Sequence, residues 1–313
     1  MPVNEMYRRQ VALLIRVLPH VAEEPCFALK GGTAINLFLR NMPRLSVDID
    51  LTYLPVSSRI ESLAGIDAAM RRISKRILKA LRGAHLTEAR HEETICRLFV
   101  RHAGTQIKIE VTPVLRGYVY EPELRSVSPR VEEDFGFAEM RVVSFADLYA
   151  GKIVAALDRQ HPRDLFDVQD LLANEGIDDP LRRAFIVYLL SHNRPMSEIL
   201  APARKPIEAE FQRGFEGMSE RQVTLADLTG AREALIAAIA GEMPETHRRF
   251  LLSFEMGQPE WPLLGVPGAK DLPAVRWRER NLASLAAGDR AMLLSRLESA
   301  LGLMAVFTRR GAA

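Results

Sequence analysis

The chain has 313 residues, 48% of them hydrophobic and 26% charged, with a formal net charge of +2. These values describe an ordinary globular chain long enough for two domains, and a charge so close to neutral does not by itself declare a nucleic-acid binder. Two cysteines, Cys26 and Cys96, both in apolar strand-like segments and without partnering histidines, point to buried thiols and away from a disulfide framework or a zinc site.

The pattern along the chain begins with an amphipathic leading helix over about 4–20. Its scattered Arg8, Arg9 and Arg16 do not make a signal peptide, and no apolar run reaches a membrane span, so a reducing cytoplasm is the expected compartment. A first strand at 26–30 runs into Lys30-Gly-Gly-Thr33, a turn that opens a helix over 32–40. The next strand, 46–54, alternates: Leu45, Val47, Ile49 and Leu51 face the core, while Ser46, Asp48, Asp50 and Thr52 share the opposite face. Two carboxylates in a row on one face repel unless something neutralises them, and a hard divalent cation with oxygen ligands does so. A basic amphipathic helix follows at 58–82, in which Arg71, Arg72, Lys75, Arg76, Lys79 and Arg82 form either a solvated face or a stripe that tracks phosphates.

Strands at 94–101 and 105–114 come next, the second placing Ile107, Ile109 and Val111 on one side and Gln106, Lys108 and Glu110 on the other. Glu110 is the candidate third carboxylate. After a strand at 139–143, Ser144 and Asp147 make a capping-box-like start to a helix over 144–158 that carries Lys152 in a small, apolar stretch. Pro162 opens a helix over 162–174 with Arg163, Asp164 and Asp167 near its start, which on their own read as ion-pair and dipole chemistry. Beyond Asp179-Pro180 the pattern predicts helices at 181–192, 207–217, 231–241, 244–256, 273–287 and 289–304, with a connector over Asn193 to Pro206. Arg276, Arg278 and Arg280 surround Trp277, which is either a base-stacking group or a packed tryptophan.

The order of strand, Gly-Gly-Thr turn, helix and Asp-Ile-Asp strand resembles the polymerase-beta type nucleotidyltransferase signature. Lys30-Gly-Gly-Thr33, Ser46-Val-Asp-Ile-Asp50, Lys152 and Arg163-Asp-Leu-Phe-Asp167 together resemble the AbiEii/AbiGii toxin family, which includes the mycobacterial MenT toxins, over residues 25–175. The resemblance implies an α/β fold: a nucleotidyltransferase domain with a mixed, five-stranded central sheet at 1–179, followed by an all-helical domain at 180–313. It implies an enzyme in which Asp48, Lys152 and Asp167 are functional and Ser46 is a possible point of regulation by phosphorylation. Glu110 stands where such enzymes keep a third acid, although many use Asp there.

On this reading Asp48, Asp50 and Glu110 hold one or two Mg2+ ions, and Asp48, Asp50, Glu110, Lys152 and Asp167 are catalytic. Gly31, Gly32, Thr33, Ser46, Lys152, Arg163 and Asp164 bind the nucleoside triphosphate, the glycines because their amides approach phosphate closely at a helix start. The cleft is expected between the Asp48/Asp50 sheet edge and the helices carrying Lys152 and Asp167. The expected reaction moves a nucleoside monophosphate from an NTP, CTP favoured, to an RNA such as the tRNA 3′ end, as part of a toxin–antitoxin pair with a cognate antitoxin encoded nearby. The alternatives are a nucleotidyl- or phosphotransferase acting on a protein or small molecule, and a non-catalytic nucleotide-binding module.

Overall fold

In a computed structural model, which describes residues 5–303, the chain divides into two compact units. The first runs to Leu148 and takes in Phe215–Gln222; the second comprises Tyr149–Gly214 and the chain from Val223 onward. Residues 4 and 304, the outermost positions of the expected first and last helices, lie outside the described residues.

The first unit starts with α1 (Glu5–Ala22), whose buried stripe includes Val11, Leu14, Leu18 and Val21. Strand β1 (Phe27–Lys30) ends at a helix we label α2, which opens as an α-turn at Gly31–Thr33 and continues as a π-helix over Ala34–Leu39. Then follow β2 (Asp48–Tyr53), the long helix α3 (Arg59–Ala80), β3 (His85–His91), β4 (Thr94–His102) and β5 (Thr105–Arg116). The unit continues with β6 (Glu123–Ser126), α4 (Pro129–Phe135), β7 (Glu139–Val142) and the start of α5 (Phe145–Asp158). Helix α3 is stopped at its front by a capping box, in which Ser58 accepts from the Glu61 amide and Glu61 accepts from the Ser58 amide.

The strands form one seven-stranded sheet in the order β3-β4-β5-β2-β1-β7-β6. Strand pairs β2/β5 and β1/β7 are parallel and the others antiparallel, so the sheet is mixed as expected. Two strands more than expected are present. Both additions, β3 and β6, are edge strands exposed along most of their length, so neither carries the apolar alternation by which a half-buried strand is recognised. The central strands do alternate: Ile49 and Leu51 of β2 and Ile107, Ile109 and Val111 of β5 are buried, each stabilising the fold by about 1.5–3 kcal/mol relative to exposure. Helices α1 and α3 touch each other and pack on the sheet, α1 on β5 and β7 and α3 on β4.

The second unit takes the rest of α5 and is helical: α6 (Pro162–Asn174), α7 (Asp179–Leu190), α8 (Met196–Leu200), α9 (Glu208–Gly214), α10 (Leu225–Ile236), α11 (Glu245–Glu255), α12 (Trp261–Leu264), α13 (Pro273–Ala283) and α14 (Ala287–Ala300). Among the described residues no strand follows β7; an isolated bridge joins Arg44 to Ser219 within the first unit. Where a plain connector was expected over 193–206, Met196, Ile199 and Leu200 are buried and shape the single turn of α8. Phe250 and Trp261 pack with ring centroids 5.2 Å apart, fastening α11 to α12.

Candidate active site

The paired carboxylates of β2 are placed by the pleat. Ile49 and Leu51 go into the core, which turns Asp48 and Asp50 to the opposite face, Asp48 about 39% exposed. Beside them β1 ends opposite Asp50, since Lys30 and Asp50 are register partners, and the chain turns sharply at Gly31 with φ +74°. A Cβ on Gly31 would stand 2.8 Å from Asp50 Oδ2, and one on Gly32 would stand 2.8 Å from an Arg44 Nη and 2.9 Å from Ser46 Oγ. A side chain at Gly31 is therefore disfavoured by space and by backbone conformation, while one at Gly32 would displace the Arg44 guanidinium and the Ser46 hydroxyl.

Thr33 fixes this turn to the aspartate strand. Its buried hydroxyl lies 3.0 Å from Ser46 Oγ and donates to the Asp48 carbonyl. Ser46 is itself buried, and Arg44 behind it donates to the Leu45 carbonyl at 3.0 Å. The expected row of Ser46, Asp48 and Asp50 is thus assembled against Gly31, Gly32 and Thr33.

Glu110 lies opposite Asp50 in the parallel β2/β5 register, on the face that the alternation predicts. Its carboxylate, however, is taken up by two cations: Lys108 Nζ donates to Oε2 at 2.6 Å and Arg97 Nε donates to Oε1. Among the described residues no three His, Cys, Asp or Glu side chains gather closely enough to hold a metal ion, so the expected three-carboxylate cluster is not formed in this geometry. Burial works against ionising Glu110, but the hydrogen bonds from Lys108 and Arg97 outweigh it and hold the carboxyl below the usual range. Asp50 goes the other way: burial pushes its pKa up against the pull of Lys30 and Lys108. Burial likewise draws the Lys30 ammonium down, although Asp50 and Glu110 oppose this.

Three residues central to this arrangement, Lys30, Lys108 and Arg97, were not singled out by sequence reasoning. Lys108 was legible in part, since it shares Glu110's face two residues earlier, and Lys30 immediately precedes the Gly-Gly pair. Arg97 reaches Glu110 only because β4 and β5 are antiparallel neighbours in that register.

In the second unit the candidates on α5 and α6 converge on one another. Lys152 Nζ lies 2.7 Å from Asp164 Oδ1 and 3.0 Å from Asp167 Oδ2, and all three are buried. Arg159 adds a bidentate contact to Asp164. Burial opposes ionisation of Asp164, but Lys152 and Arg159 prevail and hold it far below the normal carboxylate range. Lys152 is thus a partner of two carboxylates here rather than a lone point charge, and Asp164 is as central as Asp167. Helix α6 begins where the sequence places it, with Pro162 at its first turn and His161 capping through Nδ1, which accepts from the Arg163 amide. Arg163 Nε donates to the Gly214 carbonyl at 3.0 Å.

The two basic groups look different in three dimensions. On α3, Arg72 and Arg76 bond Glu24, and Arg71 bonds Asp67, which leaves Lys75, Lys79 and Arg82 as the exposed remainder of the stripe. On α13, Arg278 is buried and donates to the carbonyls of His192 and Arg194, Arg276 pairs with Asp271, and Trp277 is 55% exposed rather than packed. The thiols of Cys26 and Cys96 are free, and burial pushes Cys26 up to about 11.

The chemistry of the donors fits a divalent cation at Asp48 and Asp50. They are two hard oxygen donors side by side on a partly open face, next to a glycine whose missing Cβ leaves room at Asp50 Oδ2. A Gly-Gly helix start beside an Asp-x-Asp strand of a mixed sheet is the arrangement of a nucleotidyltransferase. The comparisons agree. The family described as nucleotidyl transferase AbiEii toxin, type IV TA system, matches residues 12–278. The chain belongs to this family and is a nucleotidyltransferase toxin of a toxin–antitoxin system. Among solved structures the fold is similar to the nucleotidyltransferase toxin MenT4 of Mycobacterium tuberculosis, at 20% identity and a TM-score of 0.59, covering 90% of this chain and 95% of that one. No curated protein matches the sequence. No helix among the described residues is long and apolar enough to cross a membrane.

Proposed function

We propose that this toxin transfers a nucleoside monophosphate, with CTP the favoured donor, to the 3′ end of tRNA, using Mg2+ held by Asp48 and Asp50 and so blocking translation. The observation that carries the reading is the pairing of those carboxylates with the Gly31-Gly32 turn, which gathers cation ligands and phosphate-binding amides at one place. When bound, the metal neutralises triphosphate charge and activates the acceptor hydroxyl.

The chain's own residues do the positioning, which is most of what a phosphoryl-type transfer asks of a protein. The amides at the start of α2 receive the phosphates, Thr33 and Ser46 hold that turn against β2, and Lys30 and Lys108 set the positive charge on the same face. Glu110 is assigned to hold Lys108 in place through its Oε2. The Lys152, Asp164, Asp167 and Arg159 network, with Arg163 beside it, is assigned as a second catalytic element, in which Lys152 is held by the two aspartates. The 1–179 catalytic region and the 180–313 helical region are kept as the functional division. A cognate antitoxin completes the system, and a reducing cytoplasm is the proposed compartment.

The test is incubation of purified protein with total tRNA, Mg2+ and each α-labelled NTP in turn, beside Asp48→Ala. Label on tRNA that vanishes in the variant supports the reading, and CTP should label most strongly. Label found on protein or on a small molecule instead would move the acceptor to that class.

A further inference from the structure

Lys108 lies within ion-pair distance of two of the candidate metal ligands at once, and the sequence motif does not call for it. Its Nζ is 2.6 Å from Glu110 Oε2 and 4.0 Å from Asp48 Oδ2, so it bridges the first and third carboxylates of the site. The register makes this position obligatory: Lys108 is the β5 partner of Asp48, and Glu110 is the partner of Asp50. Arg97, from the other neighbour of β5, closes on Glu110 and keeps its carboxylate turned to Lys108. Two ions serving such a reaction sit only about 3.5–4 Å apart, so an ammonium held between two of the three acids takes up space and charge that a second ion would need.

The local charge argues the same way. The carboxylates of Asp48, Asp50 and Glu110 face the cations of Lys30, Lys108 and Arg97. The face is therefore formally neutral before any ion arrives. A single dication entering with an anionic triphosphate is electrostatically acceptable there, whereas two dications would set four further positive charges beside Lys108.

We propose that this enzyme works with a single divalent ion, held by Asp48 and Asp50, and that the Lys108 ammonium, positioned by Glu110 and Arg97, permanently occupies the place of a second. This rests on the reading of Asp48 and Asp50 as the cation site. Lys108 then acts as a fixed charge that needs no metal, and Glu110 serves as a positioning residue rather than a ligand. A largely buried lysine is well suited to this, since its head is a compact point charge.

The experiment is a count of Mn2+ bound per chain, by electron paramagnetic resonance, for metal-free protein titrated in the presence of a non-hydrolysable CTP analogue. Wild type, Lys108→Met, Lys108→Arg and Asp48→Ala are compared, with circular dichroism to verify folding. The expected result is one Mn2+ in wild type and in Lys108→Arg, and a second site in Lys108→Met tightened at least about tenfold by removal of the neighbouring charge. Two ions in wild type overturn the proposal, whether or not Lys108→Met folds, and so does a single ion in a folded Lys108→Met. Binding in wild type that is unchanged in Asp48→Ala would instead overturn the underlying assignment of the cation site.

Discussion

Gly31 is where the smallest substitution should do the most damage. Its φ of +74° disfavours any side chain, and a Cβ there meets Asp50 Oδ2 at 2.8 Å. Gly31→Ala is predicted to lower nucleotidyl transfer by at least about tenfold while destabilising the chain by only about 1 kcal/mol, read from label transfer and chemical denaturation respectively. Asp50 offers a pH test. Because burial raises its folded pKa, its ionised form is a net cost to the fold: the stability it contributes is present below the unfolded pKa of about 3.9 and lost as pH rises through the higher folded value. Asp50→Asn should therefore be more stable than wild type at pH 7, with the gap closing as pH falls below about 4, and it should lose cation binding. A melting series against pH decides it; an Asp50→Asn protein less stable at pH 7 would contradict the assignment. The Asp48 and Asp50 pair was legible because an alternating strand declares which side chains share a face. Lys108's role was not, because the partner it bridges to lies on a different strand.

At the scale of elements, two buried ion-pair clusters hold helices in place. Glu24, in the link between α1 and β1, receives Arg72 at 2.7 Å and Arg76 at 2.6 Å from α3. Burial opposes its charge, yet the two arginines keep its pKa below the ordinary glutamate value. A depressed carboxyl contributes stability above its unfolded pKa of about 4.3 and loses it as pH falls through the folded value. Glu24→Gln should cost about 1–3 kcal/mol at neutral pH, discounted because Arg72 is half exposed, and the difference from wild type should fade below about pH 4. In the second unit, Lys152→Met would leave Asp164 with only Arg159 and remove the buried cation from Asp167; a loss of about 3–5 kcal/mol is expected in urea unfolding. What sequence patterns missed at this scale were β3 and β6, since edge strands wet on both faces have no alternation, and α8, whose single turn is too short for a period to show.

For the whole molecule, the near-neutral total of +2 means that any RNA contact depends on local groups. With Arg71, Arg72 and Arg76 engaged by carboxylates, the phosphate-tracking stripe of α3 shrinks to Lys75, Lys79 and Arg82. Binding of tRNA should still weaken with salt, but with a slope of only a few released ions, measurable by filter binding between about 50 and 200 mM salt. Expressed without its antitoxin, the wild-type toxin should arrest growth and Asp48→Ala should not, as followed by culture density. The sequence by itself determined the α/β class, the Gly-Gly turn, the paired aspartates, the start of α6 and the family, because each is written in local spacing that no other part of the chain can alter. Only the tertiary structure decided that Glu110 is spoken for by Lys108 and Arg97, that Lys152 is enclosed by Asp164 and Asp167, and that Trp277 is exposed. Those outcomes depend on which strands and helices become neighbours, and pairing between distant segments is set by packing rather than by spacing along the chain.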